Sequence, residues 1–165
     1  LADDHYPEFA APICAAARRR GLPVVLDVEK RISAADPLWL ATTHRIFSRS
    51  GLAAASTSED LAGALGGFDG SDGAFLAVTD GARPVHWRSG NGGGQIQAFA
   101  VHAVDTLGAG DVFHGAFAFA LVEMGDPVRA LRFAAATAAL KCTRFGGGAA
   151  TPTRAEVDRF LLENA

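Results

Sequence analysis

Cysteine is scarce in this chain. Cys14 and Cys142 stand far apart and form no pair at metal-ligand spacing, which excludes a cysteine-built metal centre. Two thiols so separated are expected to be free and buried in a reducing compartment, with a disulfide as the lesser alternative; the expected location is the cytoplasm. No apolar run reaches the roughly 18 residues of a membrane-spanning helix, and no signal-peptide pattern opens the chain. Neither charge sign dominates. Fifteen Lys and Arg against eighteen Asp and Glu leave a net charge of −3. There is therefore no general attraction to nucleic acid or to an anionic membrane, and any anion site must be local. The one basic run, Arg18-Arg19-Arg20, lacks interleaved aromatic residues and a second basic cluster, so it reads as a solvated helix end. No Gly-Lys-Ser/Thr follows any glycine cluster, which excludes a Walker A phosphate loop.

What is present is apolar substance and alternating elements. Hydrophobic residues make up 49% of 165, enough for one domain, residues 1–165, with a real core. Residues 6–20 carry Phe9, Ile13 and Ala16 or Ala17 at helical spacing, with cationic residues in the last turn and Gly21 as a stop. Pro23-Val24-Val25-Leu26-Asp27 reads as a short strand buried on both faces. Ile46-Phe47 and Ala74–Val78 read as further strands, and residues 56–66 as a short helix capped by Ser56 or Ser58. Gly66–Gly73 is expected to be a linker loop, and Gly90–Gly94 a turn or mobile loop. Thr79-Asp80-Gly81 suits a hairpin turn into Val85–Arg88. Asp126 and Pro127 suit the start of an alanine-rich helix over 128–143. Thr153 and Glu156 have the spacing of a capping box. Helix, glycine, then strand is half of a βαβ unit, so the fold class is α/β.

The chemistry concentrates in Asp105-Thr106-Leu107-Gly108-Ala109-Gly110-Asp111. This stretch lies between an apolar segment, Ile96–Val104, expected as a strand, and an apolar run, Val112–Met124, expected as a buried helix. A Gly-x-Gly turn that opens a helix gathers backbone N–H groups with no intrahelical partner, at the positive end of the helix dipole. Such a turn suits an anion, above all phosphate. Asp111 at the helix head can take a proton from an attacking hydroxyl while the amides hold the transferring group. A capping aspartate in an ordinary strand-to-helix turn is the plainer alternative. His114, one turn on, reads as a packed residue rather than a catalyst.

The full stretch, with Phe113 and Gly115, closely resembles the C-terminal signature of the pfkB-type carbohydrate kinases, the ribokinase family. The closing Pro152-Thr153-Arg154-Ala155-Glu156-Val157 fits the same family's P-T-x-x-E-V pattern. The resemblance implies a three-layer Rossmann-like ribokinase fold, of which this chain matches the C-terminal half or slightly more, without the small β-sheet lid. It implies transfer of the ATP γ-phosphoryl group to a sugar hydroxyl. Gly108, Ala109 and Gly110 would form the anion hole and Asp111 would be the base. Thr79, Gly81, Thr106, Ala135, Ala139 and Gly146 would line the nucleotide site, and Asp105 would contribute to a monovalent-cation site. The implied cofactors are ATP, Mg2+ and K+. The implied partner is a small sugar or sugar derivative, with neither nucleic acid nor membrane, and a homodimer as the assembly. The Phe-His-Gly form of the helix resembles a subset acting on ketohexoses or their derivatives, sulfofructose kinases among them.

One departure counts against full activity. Where the family has N-x-x-E after a central strand, helping to organise magnesium and phosphates, this chain has Ser48-Arg49-Ser50-Gly51. Arg49 offers a positive charge there instead, and Asp27, at a strand end, is a second-rank candidate. The alternative function is a catalytically defective nucleotide-binding or regulatory half-domain. A dinucleotide-binding Rossmann domain fits poorly, because it places G-x-G-x-x-G after the first strand.

Overall fold

The computed structural model describes residues 1–56, 60–68, 73–90 and 92–165. Contacts divide the chain into two compact units, Leu1–Gln95 and Ile96–Ala165.

The first unit is built on a sheet. Its elements are β1 (Ala2–Asp3), α1 (Pro7–Arg19), β2 (Val25–Val28), α2 (Pro37–Ala41), β3 (His44–Ser48), α3 (Arg49–Ala55), α4 (Leu61–Gly66), β4 (Phe75–Thr79), β5 (Val85–Ser89) and β6 (Gly92–Ile96). The six strands lie in chain order. Strands β1 to β4 are parallel, with Asp3 opposite Asp27, Val28 opposite Phe47 and Ser48 opposite Thr79. The carboxyl ends of the parallel strands are therefore aligned, and these are the ends where open α/β sheets bind ligands. Strand β5 returns antiparallel, with Ala77 opposite Trp87, as the Asp-Gly turn predicts.

Leu26, Val28, Phe47, Leu76 and Val78 form one core with Ala11 and Cys14 of α1, Leu38 and Trp39 of α2, Leu52 of α3 and Leu65 of α4. Val25, Ile46, Phe75 and Ala77, which alternate with them, are buried as well. That double burial is why Val24–Leu26, Ile46-Phe47 and Ala74–Val78 read as apolar stretches. Among the described residues of this unit, Asp4 and Arg45 are buried charges. Arg45 donates to Thr42 Oγ1 at 2.9 Å and to the Trp39 carbonyl at 2.8 Å, and stacks 3.9 Å from the centre of the Trp39 ring.

Three expectations need correction here. Gly92–Gly94 form part of β6 rather than a loop (Asn91 lies outside the described residues). A Cβ on Gly93 would stand 3.0 Å from the Trp87 carbonyl oxygen, and one on Gly94 3.1 Å from the Trp87 ring, so glycine admits this strand where a side chain would obstruct it. The helix expected over 56–66 starts later, as α4 over Leu61–Gly66, and a separate helix, α3, precedes it over Arg49–Ala55. Ser48 caps α3, accepting from the Gly51 amide at 3.0 Å, and Ser56 ends it. Asp60 caps α4, accepting from Ala62 and Gly63. Ser58, the other expected cap, and 69–72 of the expected linker loop lie outside the described residues. Third, Ile96–Val104 is a strand only at Ile96. Its apolar groups go to packing instead, with Phe99 against the Phe160 ring at 5.1 Å. Its last residue, Val104, donates its amide to Cys142.

The second unit is helical: α5 (Ala109–Met124), α6 (Pro127–Cys142), a short 3-10 turn (Gly147–Ala150) and α7 (Arg154–Glu163). Helices α5 and α6 pack on each other, and α7 on α6. The alanines of α6 permit this, with Ala130, Ala134 and Ala136 fully buried. Asp126 caps α6 through the Val128 and Arg129 amides, with Pro127 in its first turn. Thr153 and Glu156 form the expected capping box on α7. Helix α5 is buried on one side only. Phe113, Phe117 and Ala120 are inside, whereas Phe119 and Val122 are exposed, so apolar composition all round overstates its burial. Both thiols are free. No helix among the described residues is long and apolar enough to cross a membrane.

Candidate active site

The turn before α5 is held by its own backbone. Asp105 Oδ1 accepts from the Leu107 amide at 2.9 Å, and the Ala109 amide donates to the Thr106 carbonyl at 3.1 Å. Gly108 then takes φ +73°, a left-handed conformation that favours glycine. Its carbonyl receives the Val112 amide at 3.0 Å. The expected anion hole is thereby narrowed. The Ala109 amide is committed to the turn, while those of Gly110 and Asp111 have no hydrogen-bond partner among the described residues. They open a helix of 16 residues, where the dipole adds positive character. A Cβ on Gly110 would meet nothing within 4 Å. The fold itself thus leaves this position open, and the backbone can be approached closely.

Asp111 is exposed in the first turn of α5. No side-chain donor or cation engages its carboxylate among the described residues, so both oxygens are available. Asp111 also lines a cavity of about 450 Å³ with Gly115 and Phe119 of α5, Phe133 and Thr137 of α6, and Arg154 of α7. Arg154, the cation in that lining, already pairs with Asp158 at 2.8 Å and with Glu123. His114 is buried, with Nδ1 2.8 Å from the Gly110 carbonyl oxygen. It braces the first turn of the helix, as its reading as a packed residue expects.

The remaining expected residues of this unit fall into two places. Thr106 is exposed in the turn. Ala135 and Ala139 share one face of α6, and the cavity-lining Phe133 and Thr137 share another roughly 200° away by helical geometry. Asp105 and Gly146 meet directly. The Gly146 amide donates to Asp105 Oδ2 at 3.1 Å and that of Gly147 at 3.5 Å. The Val104 and Asp105 amides both donate to the Cys142 carbonyl, at 2.8 and 3.2 Å. Lys141 Nζ lies 3.0 Å from the Asp105 carbonyl oxygen and 3.6 Å from Oδ2. The Leu107 amide, then that of Gly146, hold the Asp105 carboxyl below its ordinary range, with Gly147 and Lys141 acting in the same sense.

Thr79 and Gly81 belong to the first unit. Thr79 ends β4 beside Ser48, its hydroxyl donating to the Phe47 carbonyl at 3.3 Å, and Gly81 takes φ +59° in the turn that follows. Asp27 lies one residue before the end of β2. Arg49, at the position where N-x-x-E is absent, pairs with Asp80 at 2.6 Å, and Arg83 joins at 3.1 Å. Among the described residues, no three His, Cys, Asp or Glu side chains come together to hold a metal.

Sequence reasoning gave no site role to Lys141 or to the cavity residues Phe133, Thr137 and Arg154, and met Gly115 only as part of the signature stretch. Lys141 left one signal, a solitary charge in the apolar stretch 133–142. The cavity residues left none, because three separate elements bring them together.

Comparison with known proteins identifies the family. The family model for pfkB family carbohydrate kinases matches residues 13–154. A ribokinase of Bacillus subtilis is 44% identical over 88 residues, covering 53% of this chain and 30% of that protein. An ATP-dependent ribose-1-phosphate kinase of Halopiger xanaduensis is 34% identical over 158 residues, covering 95% of this chain and 52% of its own length. Arabidopsis thaliana ribokinase, solved with ribose and ATP, superposes with a TM-score of 0.82 at 27% identity, over 94% of this chain and 52% of that one. The chain thus spans about half the length of the relatives that match it end to end.

Proposed function

From the premise that the chain belongs to the pfkB family of carbohydrate kinases, we propose that it transfers the γ-phosphoryl group of ATP to a hydroxyl of a sugar or sugar derivative in the cytoplasm. The observation that carries this reading is Asp111. Its carboxylate is exposed and unengaged, in the same helical turn as two amides without partners.

Asp111 takes the proton of the acceptor hydroxyl. The acceptor oxygen bonds to the γ-phosphorus as the bond to the β,γ-bridging oxygen breaks, and ADP leaves. The Gly110 and Asp111 amides face the charge that spreads over the γ-phosphoryl oxygens. Gly108 supplies the left-handed turn that aims them, and the Ala109 amide keeps that turn closed. Magnesium, bound with the nucleotide, neutralises phosphate charge. With no three-residue metal cage among the described residues, that ion would be held chiefly by the phosphates. Thr79, Gly81, Thr106, Ala135, Ala139 and Gly146 remain the proposed nucleotide contacts, and a homodimer the proposed assembly.

Asp111→Asn keeps the shape of the site and removes the base. It should cut transfer by roughly 10²–10⁴-fold while calorimetric titration with Mg-ATP gives an unchanged affinity. Equal loss of binding and transfer would refute the base role. The second reading, a nucleotide-binding half-domain without transfer, is favoured by Ser48–Gly51 in place of N-x-x-E. Saturable Mg-ATP binding with no turnover on any sugar of a panel would select it.

A further inference from the structure

The family resemblance sets Asp105 beside a monovalent cation, and the surroundings of Asp105 in this chain do not suit one. Its carboxylate already faces the Leu107, Gly146 and Gly147 amides and the Lys141 ammonium. Its carbonyl oxygen receives Lys141 Nζ at 3.0 Å. The Lys141 side chain is 0% exposed, a position that lysine almost never occupies unless paired. A compact ammonium with three donors can serve several oxygens at once.

We propose that Lys141 is the built-in cation of this turn. It ties Asp105, the first residue of the Asp105–Asp111 stretch, to the end of α6, and it leaves no place there for K+. Lys141 is a positioning residue in this scheme: it fixes the start of the turn from which Gly108, Gly110 and Asp111 are presented. The proposal rests on the kinase reading only for that catalytic consequence, since the question of the ion stands on the geometry around Asp105.

Thermal unfolding in potassium, ammonium and tetramethylammonium chloride at equal ionic strength tests it. The intact chain should melt at one temperature in all three. Lys141→Ala leaves the carboxylate without its cation and should melt lower by roughly 5–10 °C. Potassium or ammonium should recover part of that loss by entering the vacated space, and tetramethylammonium should not. Lys141→Met, which fills the space without charge, should melt lower and recover in none of the salts. Mg-ATP affinity should be indifferent to potassium in the intact chain and potassium-dependent in Lys141→Ala. A saturable rise in the melting temperature of the intact chain with potassium would overturn the proposal, and so would a Lys141→Ala variant that no cation rescues. If Lys141→Ala does not fold, the potassium titration of the intact chain decides alone. A chain that binds no Mg-ATP would remove the kinase reading and leave the melts to decide on Lys141.

Discussion

Gly115→Ala should make this protein more stable and a poorer binder. Gly115 is the seventh residue of α5, an interior position where glycine costs about 1 kcal/mol relative to alanine. The usual reasons for accepting that cost are absent. The residue does not have positive φ, and a Cβ built on it would meet nothing within 4 Å. Alanine should therefore stabilise by about 0.5–1 kcal/mol, which for a chain of this size raises the melting temperature by roughly 1–4 °C. The new methyl group would project beside the cavity that Gly115 lines with Asp111, one helical turn from the carboxylate. If a ligand packs there, a methyl too many costs about 1–3 kcal/mol, or roughly a 5- to 150-fold loss of affinity. Melting followed by far-ultraviolet circular dichroism gives the first quantity, and calorimetric titration with Mg-ATP, alone and with a bound sugar, gives the second. A variant that gains stability and binds as before would refute the idea that the glycine is kept for a ligand. A variant that loses stability would show that the space above Gly115 is filled in the folded protein.

The opposite sign is expected at Gly51, where a Cβ would overlap the Val28 carbonyl oxygen and stand 3.1 Å from Glu29 Cα. Backbone cannot give way as a flexible side chain can, so Gly51→Ala should cost about 3 kcal/mol or more, seen as a lower urea midpoint at unchanged slope. Acid should act on the start of α7. The Arg144 guanidinium and then the Thr153 amide and hydroxyl hold the Glu156 carboxyl down at about 2, below its ordinary 4.5. A depressed carboxyl stabilises above its unfolded value and loses that contribution as pH falls through its folded one. The stability gap between the intact chain and Glu156→Gln should therefore be widest at neutral pH and close between about 4.5 and 2. A gap unchanged across that window, in urea titrations at stepped pH, would show that the capping box and ion pair contribute nothing.

The parts of the fold that read directly from the sequence are those whose cause is local. Helix α1 has its glycine stop, although Phe9 and Ile13 of its apolar spacing lie exposed and Ala11 and Cys14 face the core instead; α6 has its Asp-Pro start and α7 its reciprocal Thr153–Glu156 cap, each within a few residues. Strands β2, β3 and β4 show through Val24–Leu26, Ile46-Phe47 and Ala74–Val78, which are apolar because both faces are buried. The stretch from Asp105 to Asp111 was legible because a left-handed glycine, free amides and a leading carboxylate sit side by side in the chain. What was not legible depends on distant partners. Three glycines look like a loop until Trp87 is placed against them. Ile96–Val104 looks like a strand until Phe160 and the Cys142 carbonyl take its side chain and backbone groups. The Lys141–Asp105 lock joins residues 36 positions apart, and nothing in either neighbourhood announces the other.

Both tryptophans, Trp39 and Trp87, and the single tyrosine, Tyr6, lie within Leu1–Gln95. The helices that carry Asp111 contain only phenylalanine among the aromatic residues. Indole emission is therefore a one-sided witness. It reports on the unit that holds the sheet, where Trp39 of α2 lies beneath the Arg45 guanidinium, while α5, α6 and α7 carry no indole of their own. Helical ellipticity follows both units. Superposable transitions in the two signals would mean that the chain melts as one cooperative body, and displaced ones would give each unit a stability of its own.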